Sequence, residues 1–190
     1  MQLHFPTSPL PCRPSSHRSF RRGLCGLVTL LLWTSAPASG AWVWVEGEVP
    51  AASTCKPHPG WYDKVKTSVL SGEAWHSNWQ NEPGIATYAV VIPEAGSYAL
   101  WLRANPVKAQ LSFRVDGANW QEVDWHRSQR GRMNIAADNK PDLRFIAWCR
   151  PVELPLGGGE HTLEFKFHSD IKNHGAIDCF CLHKGDWIPA

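Results

Sequence analysis

Glu46 and Glu48 stand two residues apart in the stretch Trp44-Val45-Glu46-Gly47-Glu48. On an extended strand that spacing projects both carboxylates from one face. Like charges so placed repel unless a cation, or an Arg or Lys, lies between them. Calcium, which takes roughly six to eight oxygen ligands, suits such a pair when a third acid and backbone carbonyls join it. Asp178, between Ile177 and Cys179, is the candidate third acid. The same residues also fit a solvated acidic strand end.

The second group is aromatic. Trp75-His76-Ser77-Asn78-Trp79-Gln80-Asn81 sets two indoles beside amides and an imidazole, and Trp61-Tyr62 adds two rings upstream. Flat rings next to hydrogen-bonding side chains match the C–H face and hydroxyl rim of a sugar. Trp61 and Trp75 equally fit a satellite core that folds a long loop onto the body of the domain. Three weaker constellations follow. Cys179, Cys181 and His183 alternate onto one strand face and are zinc-ligand types, but three ligands on one flat strand do not make a tetrahedron. Arg127, Arg130 and Arg132 beside His126 suit an acidic sugar or a sulfate through charge-assisted bonds, or a solvated loop. Glu73 and Glu82 are imaginable as a glycosidase acid and base. No Gly-x-Ser-x-Gly, His-Glu-x-x-His or phosphate loop is present, and the reading is non-catalytic.

Composition narrows the context. Residues 1–40 read as a signal peptide: a stretch without acids, basic Arg18, Arg21 and Arg22, an apolar run from Gly23 to Trp33, and small residues from Ala36 to Gly40. The run is shorter than the ~20 residues a membrane span needs. These forty residues hold four of the 19 Lys and Arg and none of the 17 Asp and Glu, which leaves 15 bases against 17 acids, a net charge of −2, for residues 41–190. A nucleic-acid partner is therefore not supported. A secreted, periplasmic or cell-envelope location follows from the leader. In such a compartment Cys55, Cys149, Cys179 and Cys181 are free to pair. A Cys55–Cys149 bridge and four buried thiols both remain open.

From Ala41 onward the apolar pattern has period two. Strands are predicted at Trp42–Glu46, Ile85–Ile92, Tyr98–Arg103, Leu111–Asp116, Trp120–Trp125, Arg144–Leu154, His161–His168 and Gly175–His183, with Pro151 marking an edge or bulge. Asp116-Gly117 is a hairpin signal. With no amphipathic helix, the chain reads as all-β: one antiparallel β-sandwich, a jelly roll, over residues 41–190. Pro50–Glu82 and Arg127–Asp142 are long loops, where binding groups usually sit. Ten of the 11 tryptophans lie beyond the leader. Trp42, Trp44, Trp101, Trp120, Trp125 and Trp148 fall in predicted strands and read as structural. Trp187 is in the tail, and Trp61, Trp75 and Trp79 are in the loops.

The order of the short motifs carries a resemblance. Trp44-Val45-Glu46-Gly47-Glu48, then Pro93-Glu94-Ala95-Gly96-Ser97-Tyr98, Leu100-Trp101-Leu102-Arg103-Ala104, and finally Gly175-Ala176-Ile177-Asp178-Cys179-Phe180 are similar to galactose-binding-like β-sandwiches. The likeness is to carbohydrate-binding modules of families 6 and 35, and it covers nearly all of residues 42–184. It implies a structural calcium held by Glu46, Glu48 and Asp178, with Gly47 replacing the usual Ala harmlessly. It also implies glycan binding by loops at one end without catalysis, with Asn173 and His174 where these families place a sugar-binding Asn. The expected ligand set is thus Trp61, Tyr62, Trp75, Asn78, Trp79, Asn173 and His174, and the expected partner a polysaccharide or glycan. The alternative is a protein-interaction or scaffold domain of a larger cell-envelope assembly, using the same aromatic loops.

Overall fold

The computed structural model describes residues 40–57, 64–168 and 175–190. Among the described residues there are eleven strands: β1 (Trp42–Glu46), β2 (Ala52–Ser53), β3 (His76–Ser77), β4 (Gly84–Ile92), β5 (Gly96–Asn105), β6 (Gln110–Val115), β7 (Gln121–Glu122), β8 (Arg130–Asn134), β9 (Phe145–Leu156), β10 (Gly159–His168) and β11 (Ala176–His183). Every pairing between them is antiparallel. One sheet has the order β1-β11-β5-β9-β8, with β3 added beside β11; the other runs β2-β4-β10-β6-β7. Two 3-10 turns, Thr67–Val69 and Ser71–Glu73, lie within the described residues. The expected all-β antiparallel sandwich is what the chain forms. Among the described residues no helix is long and apolar enough to cross a membrane.

Period-two patterning builds this directly. In β4, Ala86, Tyr88, Val90 and Ile92 are buried, while Ala89 and Val91 between them are exposed. These side chains meet Leu163, Phe165 and Phe167 of β10, Phe113 of β6, and Leu100, Leu102, Phe180 and Leu182 from the facing sheet. Phe165 lies 5.9 Å from Tyr88 and 5.3 Å from Phe180, ring edge to ring face. Each fully buried ring of this kind contributes roughly 1.5–3 kcal/mol. Tyr88 keeps its hydroxyl satisfied by donating to the Gly47 carbonyl at 2.6 Å, and burial raises its pKa far above the ordinary phenol value.

Two irregularities matter for function. The β5–β9 register shifts between Leu100 and Leu102, at Arg150–Pro151 on the partner strand, so Pro151 sits at a bulge, where a missing N–H is tolerated. The β11–β5 register shifts between Ile177 and Cys179, leaving Asp178 without a partner across the ladder. Bulges re-aim side chains, and this one turns Asp178 toward the acidic pair. The four described cysteines are free thiols. Burial pushes the thiols of Cys149 and Cys181 up to about 12 and raises that of Cys179 still further. These three thiols pack as buried apolar groups. Among the described residues, no group of three or more His, Cys, Asp or Glu is arranged to hold a metal ion.

Candidate functional site

The acids come first, because β1 and β11 set them directly. Trp42 pairs with His183 and Glu46 with Cys179, so Glu46 ends β1 next to the bulge at Asp178. Asp178 is wholly buried, and both of its oxygens are engaged: Oδ1 accepts the Ser71 N–H at 2.8 Å and Oδ2 accepts from Arg103 Nη1 at 2.8 Å. Burial pushes this carboxyl up to about 6, with Arg103 pulling the other way. Glu46 Oε1 accepts from Ser71 Oγ and from Trp44 Nε1, each at 2.9 Å. Glu46 Oε2 and Glu48 Oε2 are buried with no hydrogen-bond partner among the described residues. Burial, reinforced by the charge of Glu46, raises the pKa of Glu48. The expected triad therefore splits. Glu46 and Glu48 keep open oxygens that fit a hard cation, whereas Asp178 is neutralised by a guanidinium.

Two glycines shape this corner. A Cβ on Gly47 would lie 2.2 Å from the Ile177 carbonyl oxygen, while the Gly47 N–H donates to the Asp178 carbonyl at 2.8 Å. The alanine usual in the resembling families has no room here, so glycine at this position is required rather than merely harmless. A Cβ on Gly72 would fall 2.0 Å from Glu48 Oε1, so the absent side chain makes the space that the Glu48 carboxylate fills.

The expected loop site is only partly assembled. Trp61, Tyr62, Asn173 and His174 lie outside the described residues. Trp75 is 2% exposed and packs with Val65, Leu70, Ile135, Ile146 and Ala176; it is the satellite core, and its ring is withdrawn from any ligand. Asn78 is 1% exposed, accepts the Lys56 N–H at 3.0 Å and donates to the Glu82 carbonyl at 3.0 Å. Its amide ties the loop together instead of facing a sugar. Trp79 is half-buried, its backbone N–H donating to the Lys56 carbonyl at 2.6 Å.

The same end of the sandwich holds an open depression of about 450 Å³ that sequence reading missed. Register places it there. Gly84 pairs with Phe167, Leu111 with Phe167 and Ala176 with Asn105, so the Trp79 loop and the Asn105–Gln110 turn leave the sheets at one end. The depression is lined by Lys108, Trp125, His126, Gln129, Arg132 and Phe145, among others. Trp125 is fixed by its indole N–H, which donates to the Ala109 carbonyl at 2.8 Å, and Gln129 Nε2 donates to the Trp125 carbonyl at 3.1 Å. Arg132 stacks over Phe145 at 3.7 Å. The basic cluster does not act as a unit: Arg127 donates to the Pro151 carbonyl at 2.9 Å, and Arg130 lies over Trp101 at 5.3 Å. Trp125 had the sequence signature of a strand residue; the turn after Asp124, whose carboxylate accepts the His126 N–H at 2.9 Å, is what swings it to the rim.

The strand tryptophans hold the other correction. Trp42 and Trp44 are each 45% exposed, on the outer face of the β1 edge strand, and are not structural core.

No family model matches this chain, and no curated protein matches it. Solved structures do. A Podospora anserina β-(1,4)-mannanase carrying a family 35 carbohydrate-binding module is 13% identical, with 78% of this chain and 29% of that one covered and a TM-score of 0.49. A family 35 module from an environmental isolate is 12% identical over 76% of this chain and 93% of its own, with a TM-score of 0.48. A family 35 module from Cellvibrio japonicus is 12% identical over 77% and 95%, with a TM-score of 0.48. This chain thus spans less than a third of the mannanase chain and nearly the whole length of the isolated modules.

Proposed function

We propose that this protein is a non-catalytic carbohydrate-binding module whose ligand enters the loop-end depression. The observation that carries the reading is the lining of that depression. A ring locked by its own N–H, Trp125, stands beside the second ring of Phe145 and the polar ends of His126, Gln129, Arg132 and Lys108. A fixed indole offers stacking area at low entropy cost, and the side chains around it supply donors and acceptors for hydroxyls. Trp79 adds a half-buried ring at the same end.

Glu46 and Glu48 would hold a structural calcium, and the support is their two buried, unpartnered oxygens. The ion would neutralise the pair and fix the β1–β11 corner; no chemistry on the ligand is routed through it. Residues 1–40 would serve as a secretion leader, and the protein would act outside the cytoplasm or in the cell envelope. The test is affinity electrophoresis of the full chain through gels containing soluble polysaccharides. The wild type should be retarded by at least one polysaccharide, and Trp125→Ala should run freely while still folded, with a lowered melting temperature because the ring also packs on the core. The protein-interaction alternative gains the ground if no polysaccharide retards the wild type.

A further inference from the structure

From the edges of the two sheets we infer a dimerisation surface: the free edge of β1, with Trp42 and Trp44, takes a second copy of this chain by strand addition. The inference uses none of the residues of the loop-end depression and does not depend on what that depression binds. A sheet edge invites another strand unless it is short, bulged or charged. Among the described residues every other edge is blunted in one of those ways. β2, β3 and β7 are two residues long. β8 carries Arg130 and Arg132, and its register with β9 shifts between Arg130 and Met133. β1 runs five residues in unbroken register with β11 and contains no Lys, Arg or Pro. Its one charged residue, Glu46, stands at its end and is engaged by Ser71 and Trp44.

The ladder fixes which backbone groups are open. The Lys184 N–H donates to the Ala41 carbonyl at 3.0 Å, and the Gly47 N–H to the Asp178 carbonyl at 2.8 Å. Bonded positions alternate along an antiparallel strand, so the backbone groups of Val43 and Val45 point to β11 while those of Trp42 and Trp44 face the free edge. A second β1 laid antiparallel on that edge, with the two-fold axis at Val43, sets Trp42 opposite Trp44 of the second copy and Trp44 opposite its Trp42. Both are then bonded pairs, Cα atoms about 5.5 Å apart, and the arrangement is self-complementary as a two-fold interface requires. Glu46 falls opposite Gly40 of the second copy, so no like charges meet. The apolar surface continues inward from the edge, with Trp187 at 4.5 Å from Trp42 and Ile188 58% exposed. At 45% exposure, Trp42 and Trp44 each leave roughly 100 Å² of ring open. The rings and edge backbone of two copies together bury less than about 1,200 Å², the small class of interface, so the dimer is reversible and micromolar.

The experiment is sedimentation velocity of the full-length protein over a concentration series, with amide hydrogen exchange read residue by residue at both ends of the series. The wild type should pass reversibly from monomer to dimer in the micromolar range. As it does, the amides of Trp42 and Trp44 should turn from fast to slow exchange, while those of Val43 and Val45 stay slow throughout. Trp42→Lys/Trp44→Lys, which sets like charges opposite each other across the two-fold axis, should weaken the dimer at least about thirtyfold. Val91→Lys, at an exposed apolar residue of β4, should leave it unchanged. The exchange measurement needs no variant, so misfolding of the double variant does not decide the outcome. A protein that stays monomeric, with the Trp42 and Trp44 amides fast at every concentration, overturns the inference. So does a dimer whose formation leaves those amides fast, because its interface lies elsewhere. Protection of the two amides in a monomer only when a soluble polysaccharide is added gives the edge to a saccharide and overturns it as well.

Discussion

The two sheets share one core but present opposite outer faces. Outside the five-stranded sheet, Arg114 grips Glu164 through two hydrogen bonds, at 2.5 and 3.1 Å, and lies over Trp120 at 4.4 Å; His168 meets Ser112 at 2.8 Å. Outside the six-stranded sheet stand Trp42, Trp44, Trp101, Trp148 and Trp187, with Cys179 and Cys181 between them. One face is an ordinary solvated antiparallel surface, polar out and apolar in. The other is apolar on both sides. The tryptophan excess of this chain is therefore not a property of the core between the sheets, whose buried rings are Tyr and Phe. Most of it belongs to one outer face and one loop end, with the tail tryptophan as a bridge across the face and Trp120 on the opposite face.

The sharpest way to break that comparison is to cut the buried and the exposed rings of the same face separately. Trp101 is 1% exposed, and Trp101→Ala should cost about 3–5 kcal/mol in chemical denaturation. Trp44→Ala should cost far less, since its ring is already half in water. Equal losses would mean that the face is simply a second core.

The next effect in size is at the bulge. Arg103→Met strands a buried Asp178 carboxylate and should cost about 3–5 kcal/mol at neutral pH. The native state already holds the Asp178 proton more tightly than the unfolded chain does, with a pKa of about 6 against 3.8. Stability therefore falls as pH rises through that window. Without Arg103 the native pKa moves higher still, so the variant should recover part of its loss on acidification. A loss that is flat with pH would show that Arg103 supports the bulge by packing alone. Gly47→Ala comes after it, at about 1–3 kcal/mol, because a methyl group has to be forced against the Ile177 carbonyl.

Calcium should give a smaller and conditional shift. Binding to the native state alone raises stability as ion concentration exceeds the dissociation constant, by ~2.7 kcal/mol at a hundredfold excess. A chelator should lower the melting temperature of the wild type but barely move Glu46→Gln or Glu48→Gln. No chelator effect on the wild type removes the ion. The smallest effect is expected at the far end of the sandwich, where Asp116 and His161 meet at 2.6 Å. Hydrogen bonding from Thr162 and His161 lowers the Asp116 pKa, and Asp116 raises that of His161. The pair adds stability only between those two titrations: it is lost as pH falls through the Asp116 pKa and as pH rises through the His161 pKa. Because Asp116 is half in solvent, Asp116→Asn should cost well under about 1 kcal/mol.

Alternation made the sandwich legible: seven of the longer strands follow runs visible as period two, and Pro151 marked its bulge. What alternation cannot say is which face of a strand another layer will cover. Trp42 and Trp44 alternate with Val43 and Val45, and both sets are apolar; only the sheet order, with β1 at an edge, decides that the valines turn inward. Trp75 and Asn78 had the composition of a ligand loop, but the burial of Trp75 depends on Ile135 and Ile146, distant in sequence, and the amide of Asn78 is taken up by Lys56 and Glu82. Arg103 was legible as a strand residue, yet its pairing with Asp178 needs the bulge. Trp125 was concealed for the opposite reason: the strand of its neighbourhood ends at Glu122, three residues short of it, and a turn follows.

The most direct test of the account is the retardation of the full-length protein in polysaccharide gels, compared with Trp125→Ala and Trp75→Phe. The account predicts that at least one polysaccharide retards the wild type, that Trp125→Ala abolishes the retardation, and that Trp75→Phe binds normally although it melts lower. Wild-type mobility unchanged by every polysaccharide, or full binding by Trp125→Ala, would contradict it.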